Sequence, residues 1–75
     1  MRAGAMFISV VMPVRNEAPF IAGTIGQLLA QEYPADRFEI LVADGMSDDG
    51  TRDIVSRLAA ADSRVRLLDN PGMRS

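Results

Sequence analysis

The 75-residue sequence contains no cysteine, no histidine and no lysine. The absence of cysteine excludes disulfide bonds, thiolate nucleophiles and metal sites built on cysteine. The absence of histidine removes the side chain that most often acts as a base near neutral pH. Any acid, base or metal ligand in this chain must therefore be a carboxylate.

A basic surface is also missing, because eight arginines are outweighed by ten acidic residues, which gives a net charge of −2. The sequence pI is about 4.8. Such a chain has no positive patch that would steer it to nucleic acid or to anionic lipid. Nucleic acid is therefore not an expected partner.

Long hydrophobic runs are absent as well. The run from Ala5 to Val14 is interrupted by Ser9 and is far shorter than the roughly 20 residues that span a bilayer. A signal peptide is the alternative interpretation, but there is no small-x-small cleavage site, and Pro13 and the polar residues 15–17 follow directly. The run is interpreted as a buried β-strand. We expect a cytoplasmic protein with no membrane span in this chain.

The apolar residues follow the two periods of regular secondary structure and suffice for one small domain. Runs rich in β-branched residues predict strands at residues 7–13, 38–43 and 65–68. Apolar residues at helical spacing predict two intervening helices with the stripes Ile21, Ile25, Leu28, Leu29 and Ile54, Val55, Leu58, Ala59. Crossovers of helical length require parallel strands. The predicted fold class is α/β, a β-α-β-α-β half of a doubly wound parallel sheet with strand order 3-2-1 or 2-1-3.

The first strand and the first helix carry more specific expectations. The strand is apolar on both faces, so we expect it to be central in a sheet with helices on each side. Pro19 suits the first turn of the helix, and Tyr33-Pro34 is expected to end it. Gly23 and Gly26 each weaken the helix by roughly 1 kcal/mol relative to alanine, which predicts close packing of both glycines against the sheet.

Two polar turns follow the first two strands at equivalent points. The first strand runs into Pro13-Val14-Arg15-Asn16-Glu17, and the second ends on Asp44 ahead of Gly45-Met46-Ser47-Asp48-Asp49-Gly50-Thr51. Nucleotide sites in open α/β sheets lie at such carboxyl ends of strands. Side by side, the two turns would form one crevice.

These segments, from Ile8 to Gly72, resemble the start of the family 2 glycosyltransferases. The pairing of Pro-Val-Arg-Asn-Glu with Ala-Asp-Gly-Met-Ser-Asp-Asp-Gly-Thr looks most like the transferases of succinoglycan-type exopolysaccharide synthesis. The resemblance implies the GT-A fold, a Rossmann-like nucleotide-binding fragment, and favours the strand order 3-2-1. It also implies that residues 1–75 are an amino-terminal part of the catalytic domain.

The same resemblance implies an inverting transfer of sugar from a nucleotide diphosphate sugar, expected to be a UDP-sugar, to a saccharide or lipid-linked acceptor. In the family, a downstream Asp-x-Asp motif binds Mg²⁺ or Mn²⁺ and a catalytic base lies further on. No position of this sequence matches either, so we assign no catalytic or metal-binding residue and expect the 75-residue chain alone to be inactive. A full-length relative would act at the cytoplasmic face of the membrane.

Asp44 is the first candidate for donor binding, because the family's aspartate at this position helps to hold the nucleotide base. The alternative is that Asp44 only satisfies the amides of its turn, as aspartate commonly does. Ser47 is expected to brace the same turn. This chain departs from the commoner Asp-Asp-Gly-Ser pattern, since Gly45 replaces the second acid and Met46 replaces the glycine, and we expect Met46 to pack.

The first turn supplies the other candidates. In the family, the positions of Pro13, Val14 and Arg15 pass beside the nucleoside, and an arginine there can stack on a base or pair with phosphate. A solvated Arg15 is the equal alternative. Glu17 is a candidate for contact with a ribose hydroxyl, although capping of the first helix is an equally simple role for Asn16 and Glu17.

The acidic run at Asp48 and Asp49 has no Gly-rich, Walker or calcium-loop spacing, so we assign it to turn formation and capping of the second helix. Two other functions stay open: a non-catalytic nucleotide-binding module, or a truncated, inactive reading frame. A receiver-like domain with Asp44 as phosphoacceptor is disfavoured by the absence of lysine. An exposed sheet edge and an uncovered apolar face would favour self-association of this chain.

Overall fold

The computed structural model describes residues 6–69. Its elements are β1 (Ile8–Val14), α1 (Ala18–Leu29), a short 3-10 helix (Ala35–Arg37), β2 (Phe38–Asp44), α2 (Thr51–Ala61) and β3 (Val65–Asp69). Every predicted strand is present with its bounds shifted by no more than one residue. The Pro-Gly pair of the segment Asp69-Asn70-Pro71-Gly72 predicts a turn after β3, and this segment lies outside the described residues from Asn70 onward.

The three strands form one parallel sheet in the order β1-β2-β3. The register pairs Val14 with Asp44 and Asp44 with Asp69, so the carboxyl ends of all three strands lie along one edge. The expected order, with the second strand in the middle, is confirmed, as is the parallel α/β fold class.

The core lies between one face of the sheet and both helices. Alternate residues of β2 (Phe38, Ile40 and Val42) are buried on this face. The core cluster is completed by Val14 and Val65 from the outer strands and by Ile21, Ile25 and Val55 from the helices. Since both crossovers step across the sheet in the same direction with the usual right-handed connection, both helices lie over the same face.

The expected central position of β1 is wrong for the described residues. β1 pairs only with β2 and forms an edge of the three-stranded sheet. On the face away from the helices, Val11 is 62% exposed and Leu68 is 41% exposed. The apolar character of both faces of β1 therefore does not reflect burial of both faces within residues 6–69.

The expectations for α1 were also only partly right. Pro19 does lie in its first turn, but the helix ends at Leu29, where the N–H of Ala30 donates to the carbonyl of Gly26 at 3.1 Å. The helix therefore ends four residues before Tyr33, and Pro34 instead precedes the short 3-10 helix that leads into β2. A Cβ added to Gly23 or Gly26 would meet no atom within 4 Å, so the predicted close packing of these glycines is wrong.

The two exposed glycines give the first testable prediction. Gly23→Ala and Gly26→Ala should each raise the free energy of unfolding of the chain by about 1 kcal/mol, because alanine loses less backbone entropy in a helix. Denaturant titration of each variant measures this. Gly50→Ala is the matched control and should destabilise, since Gly50 has φ 96° and a side chain there is strained. Destabilisation by Gly23→Ala or Gly26→Ala would contradict an open helix face.

A charged pair closes the corner between α2 and β3. The guanidinium of Arg64 donates from Nε to Asp62 Oδ1 at 3.0 Å and from Nη2 to Asp62 Oδ2 at 2.7 Å. The backbone N–H of Arg64 donates to Asp62 Oδ1 as well. These bonds from Arg64 lower the pKa of Asp62 to about 2.

This corner predicts an acid-sensitive contribution to stability. An unfolded aspartate has a pKa of about 3.9, so the unfolded chain binds the proton first and the native state loses stability as pH falls from about 4 toward 2. Asp62→Asn should flatten the dependence of the unfolding midpoint on pH in this window. Asp53→Asn, which removes the exposed partner of Arg57 on α2, is the control. Parallel pH profiles for the Asp62→Asn and unsubstituted chains would refute the assignment.

Candidate functional site

The turns after β1 and β2 lie side by side at the carboxyl edge of the sheet. Because Val14 and Asp44 are register partners, the two turns begin at the same level. The first bond between them joins main chains, with the N–H of Gly45 donating to the carbonyl of Val14 at 2.8 Å. The two turns expected to form one crevice are therefore joined by a main-chain hydrogen bond at its base.

A reciprocal pair of hydrogen bonds then joins Asn16 to the second turn. The N–H of Asn16 donates to Ser47 Oγ at 2.8 Å, and the N–H of Asp48 donates to Asn16 Oδ1 at 2.9 Å. Asn16 has φ 55°, a left-handed conformation that asparagine tolerates better than most residues. Its side chain thus bridges the two turns instead of capping α1.

The beginnings of both helices meet at Asp49. Its Oδ2 accepts the N–H of Ala18 at 3.1 Å, and its Oδ1 accepts the N–H of Thr51 at 3.0 Å. The Thr51 hydroxyl also donates to Asp49, which lowers the pKa of this carboxyl, and it accepts the N–H of Glu17 at 2.9 Å. One carboxylate therefore satisfies the first amides of two helices, which have no intrahelical partners.

The capping predictions had mixed outcomes. Capping of α2 by Asp49 is confirmed. The carboxylate of Asp48 makes no hydrogen bond to the rest of residues 6–69, and only its N–H takes part. Capping of α1 by Asn16 or Glu17 is wrong, because α1 has no capping bond from a side chain of its own. The second turn supplies that cap, and a sequence window around α1 contains no sign of it.

Asp44 is buried at the base of the second turn, with no exposed surface. Its Oδ1 accepts the Ser47 hydroxyl at 2.6 Å, and its Oδ2 accepts the Ser47 N–H at 3.0 Å. Burial by itself raises the pKa of Asp44, but these bonds and the charge of Arg52 together hold it below its usual range. Bracing of the turn by Ser47 is confirmed.

Arg52 is a residue of this site that the sequence interpretation missed. Its Nη1 lies 3.1 Å from Asp44 Oδ2 and 2.6 Å from Asp69 Oδ1, so it joins the ends of β2 and β3. A signal was present in the sequence. Two neighbouring strands end in Asp44 and Asp69. Because like charges opposite one another on adjacent strands repel, a cation on the connecting helix would stabilise them.

The predicted donor-binding residues fall into three environments. Asp44 is buried, and Arg15 is exposed without a hydrogen bond or ion pair to the described residues. Pro13, Val14 and Glu17 line an open pocket of about 200 Å³ together with Met12, Phe20, Ile21 and Thr24. Val14 is only 5% exposed and also belongs to the core.

Met46 does not pack as expected. It is 48% exposed and has φ 65°, a conformation in which a side chain is strained. Position 46 is where the resembled pattern has glycine, and the backbone retains the conformation that suits glycine. Gly45, by contrast, is buried against the first turn.

The model of glycosyl transferase family 2 matches residues 9–74. The chain belongs to this family. The resemblance inferred from the two turns is thereby confirmed, and residues 9–74 include every element of the described fold except the first residue of β1, Ile8.

Individual members of family 2 show the same relationship. The chain is 45% identical over 62 residues to the succinoglycan biosynthesis protein ExoA of Rhizobium meliloti, covering 83% of this chain and 18% of that protein. It is 40% identical over 63 residues to the UDP-Glc:alpha-D-GlcNAc-diphosphoundecaprenol beta-1,3-glucosyltransferase WfgD of Escherichia coli, covering 84% and 23%.

Among solved structures, the chain is similar to the mannosyltransferase PcManGT from Pyrobaculum calidifontis, determined in complex with GDP-Man and Mn²⁺. The TM-score is 0.71 at 35% identity, and the match covers 83% of this chain and 18% of that one. This similarity confirms the Rossmann-like GT-A fold. The chain thus spans about a fifth of the length of the family 2 proteins it matches.

Within residues 6–69, no helix is long and apolar enough to cross a membrane. No group of three or more carboxylates there is arranged to hold a metal ion.

The contact between the two helix starts can be tested at Thr51, which is fully buried. Thr51→Val keeps the shape but leaves the N–H of Glu17 without its acceptor, and should cost about 2 kcal/mol of unfolding free energy. Thr51→Ser keeps the hydroxyl and should cost about 0.8 kcal/mol for the lost methyl group. Denaturant titration compares them. A Thr51→Val chain at least as stable as Thr51→Ser would show that the hydroxyl does not join the turns.

Proposed function

We propose that the edge formed by the two turns binds the nucleotide part of a sugar donor, in a glycosyltransferase that transfers the sugar to a saccharide or lipid-linked acceptor. One observation carries the proposal: the turns after β1 and β2 are hydrogen-bonded into a single preformed unit at the carboxyl edge of a parallel sheet. Ligands of open α/β folds bind at this edge. A preformed site also avoids the cost of ordering two loops on binding.

Each predicted residue receives a proposed role consistent with its environment. The guanidinium of Arg15 makes no hydrogen bond or ion pair within residues 6–69, which suits stacking on a base or pairing with phosphate. Pro13 and Val14 border the nucleoside through their backbone, and Glu17 accepts a hydrogen bond from a ribose hydroxyl. Direct contact between Asp44 and a base requires its carboxylate, which has no exposed surface, to become accessible.

The identity of the donor and acceptor is proposed from the relatives. The Escherichia coli relative is named for a UDP-linked glucose and a diphosphoundecaprenol-linked acceptor, which supports a UDP-sugar and a lipid-linked saccharide. The mannosyltransferase from Pyrobaculum calidifontis was determined in complex with GDP-Man, which makes GDP the competing nucleotide. The likeness to the succinoglycan protein supports a role in exopolysaccharide or cell-envelope synthesis.

A divalent metal cannot be assigned to the described residues. The best-placed carboxylates, Asp44 and Asp49, already accept hydrogen bonds from Ser47, Arg52, Ala18 and Thr51. We therefore derive no metal-dependent step from these residues. Inversion at the sugar, inactivity of the 75-residue chain alone, its self-association and a cytoplasmic location stay predictions. The alternative of a non-catalytic nucleotide-binding module differs only in the absence of sugar transfer.

Nucleotide binding is tested with the complete natural reading frame that contains this chain. Titration calorimetry with UDP and with GDP, each with and without Mn²⁺, should show binding, with UDP the tighter ligand. Arg15→Ala should weaken it about tenfold through loss of a charged contact. The control Arg37→Ala removes an exposed arginine at the opposite end of β2 and should leave affinity unchanged. Equal affinity of the Arg15→Ala and unsubstituted proteins would remove Arg15 from the site.

A further inference from the structure

The ends of β2 and β3 bring two carboxylates together. Asp44 and Asp69 are register partners on adjacent parallel strands, so their side chains leave the same face of the sheet. The Asp44 side chain is fully buried, whereas that of Asp69 is 66% exposed. Like charges placed opposite one another on neighbouring strands repel. The burial of Asp44 therefore depends on a compensating cation.

Arg52 is that cation, and its position is specific. It lies in the first turn of α2, and a single nitrogen, Nη1, contacts one oxygen of each carboxylate at 3.1 and 2.6 Å. The other N–H groups of its planar guanidinium make no hydrogen bond within residues 6–69, consistent with a side chain that is 41% exposed. Lysine carries an equal charge but lacks this planar, pre-organised geometry.

A series of hydrogen bonds connects Arg52 to the turn that follows β1. Arg52 holds Oδ2 of Asp44, Oδ1 of Asp44 accepts the Ser47 hydroxyl at 2.6 Å, and Ser47 Oγ accepts the N–H of Asn16 at 2.8 Å. The hydroxyl of Ser47 has one proton, which it gives to Asp44, so its lone pairs are free for Asn16. Three successive contacts thus connect α2 to the backbone beside Arg15.

We propose that Arg52 is a positioning residue for the donor site: by holding the carboxylate of Asp44 in place, it sets, through Ser47, the position of the first turn against which the nucleotide binds. This inference rests on the proposed function. Arg52 itself acts through Asp44 and needs no contact with the ligand. Its loss would leave Asp44 buried beside Asp69 and release the turn.

The test compares three variants in the complete reading frame. Arg52→Gln removes the charge, Arg52→Lys keeps the charge but not the planar guanidinium, and Arg57→Gln removes an exposed arginine of the same helix that pairs with Asp53. UDP and GDP affinities are measured by calorimetry well below the unfolding midpoint of each variant. Hydrogen exchange of the Asn16 amide is followed in parallel, without nucleotide.

We expect Arg52→Gln to weaken nucleotide binding about tenfold and to speed exchange of the Asn16 amide. Arg52→Lys should recover part of both losses, and Arg57→Gln should match the unsubstituted protein. A lower unfolding midpoint with unchanged affinity would overturn the proposal, because it would show a stabilising role alone.

The same measurements distinguish failure of the proposed nucleotide binding from failure of the role proposed for Arg52. If the unsubstituted protein binds neither UDP nor GDP, the proposed function is wrong and Arg52 has no donor to position. The hydrogen exchange data then still decide the connection itself, because unchanged protection of Asn16 in Arg52→Gln shows that Arg52 does not hold the first turn.

Discussion

The carboxylate of Asp49 accepts hydrogen bonds from the N–H groups of the first residues of two different helices. Much of the described structure depends on this arrangement. Helix starts carry unpaired N–H groups and a partial positive charge. Here α1 and α2 begin side by side, so one anion stabilises both. Since α1 has no side-chain cap of its own, its start is tied to the second turn. The same contacts join the turns that border the candidate site.

Asp44 holds the second turn in shape. Its position at the end of β2 predicts contact with a nucleotide base, and in this structure its carboxylate is buried and bonded to Ser47 and Arg52. The resembled pattern has a second acid where this chain has Gly45. A single buried carboxylate, neutralised by an arginine, is then suited to holding a turn in shape. Exposed groups such as Arg15 are better placed to contact a ligand.

The sheet has two different faces because both crossovers run in one direction. One face carries the core between β2 and the helices, and the other leaves Val11 and Leu68 exposed. The chain belongs to family 2 and is similar to a solved mannosyltransferase, but it spans only about a fifth of the length of the proteins it matches. The described residues therefore form the candidate nucleotide-binding part, and the activity of the whole protein stays a proposal.

Elements and their order were predictable because they depend on patterns within a few residues. Alternating or continuous apolar runs located three strands, helical spacing located α1 and α2, and the length of the crossovers required parallel pairing. The two polar turns lie side by side at the carboxyl edge of the sheet, as expected. The contacts that join the two turns were not predictable, because they connect residues 31 to 34 positions apart, as between Asn16 and Ser47 or Glu17 and Thr51. Such contacts, like the bridge from Arg52 to Asp69, exist only once the sheet register has brought separate turns within hydrogen-bonding distance.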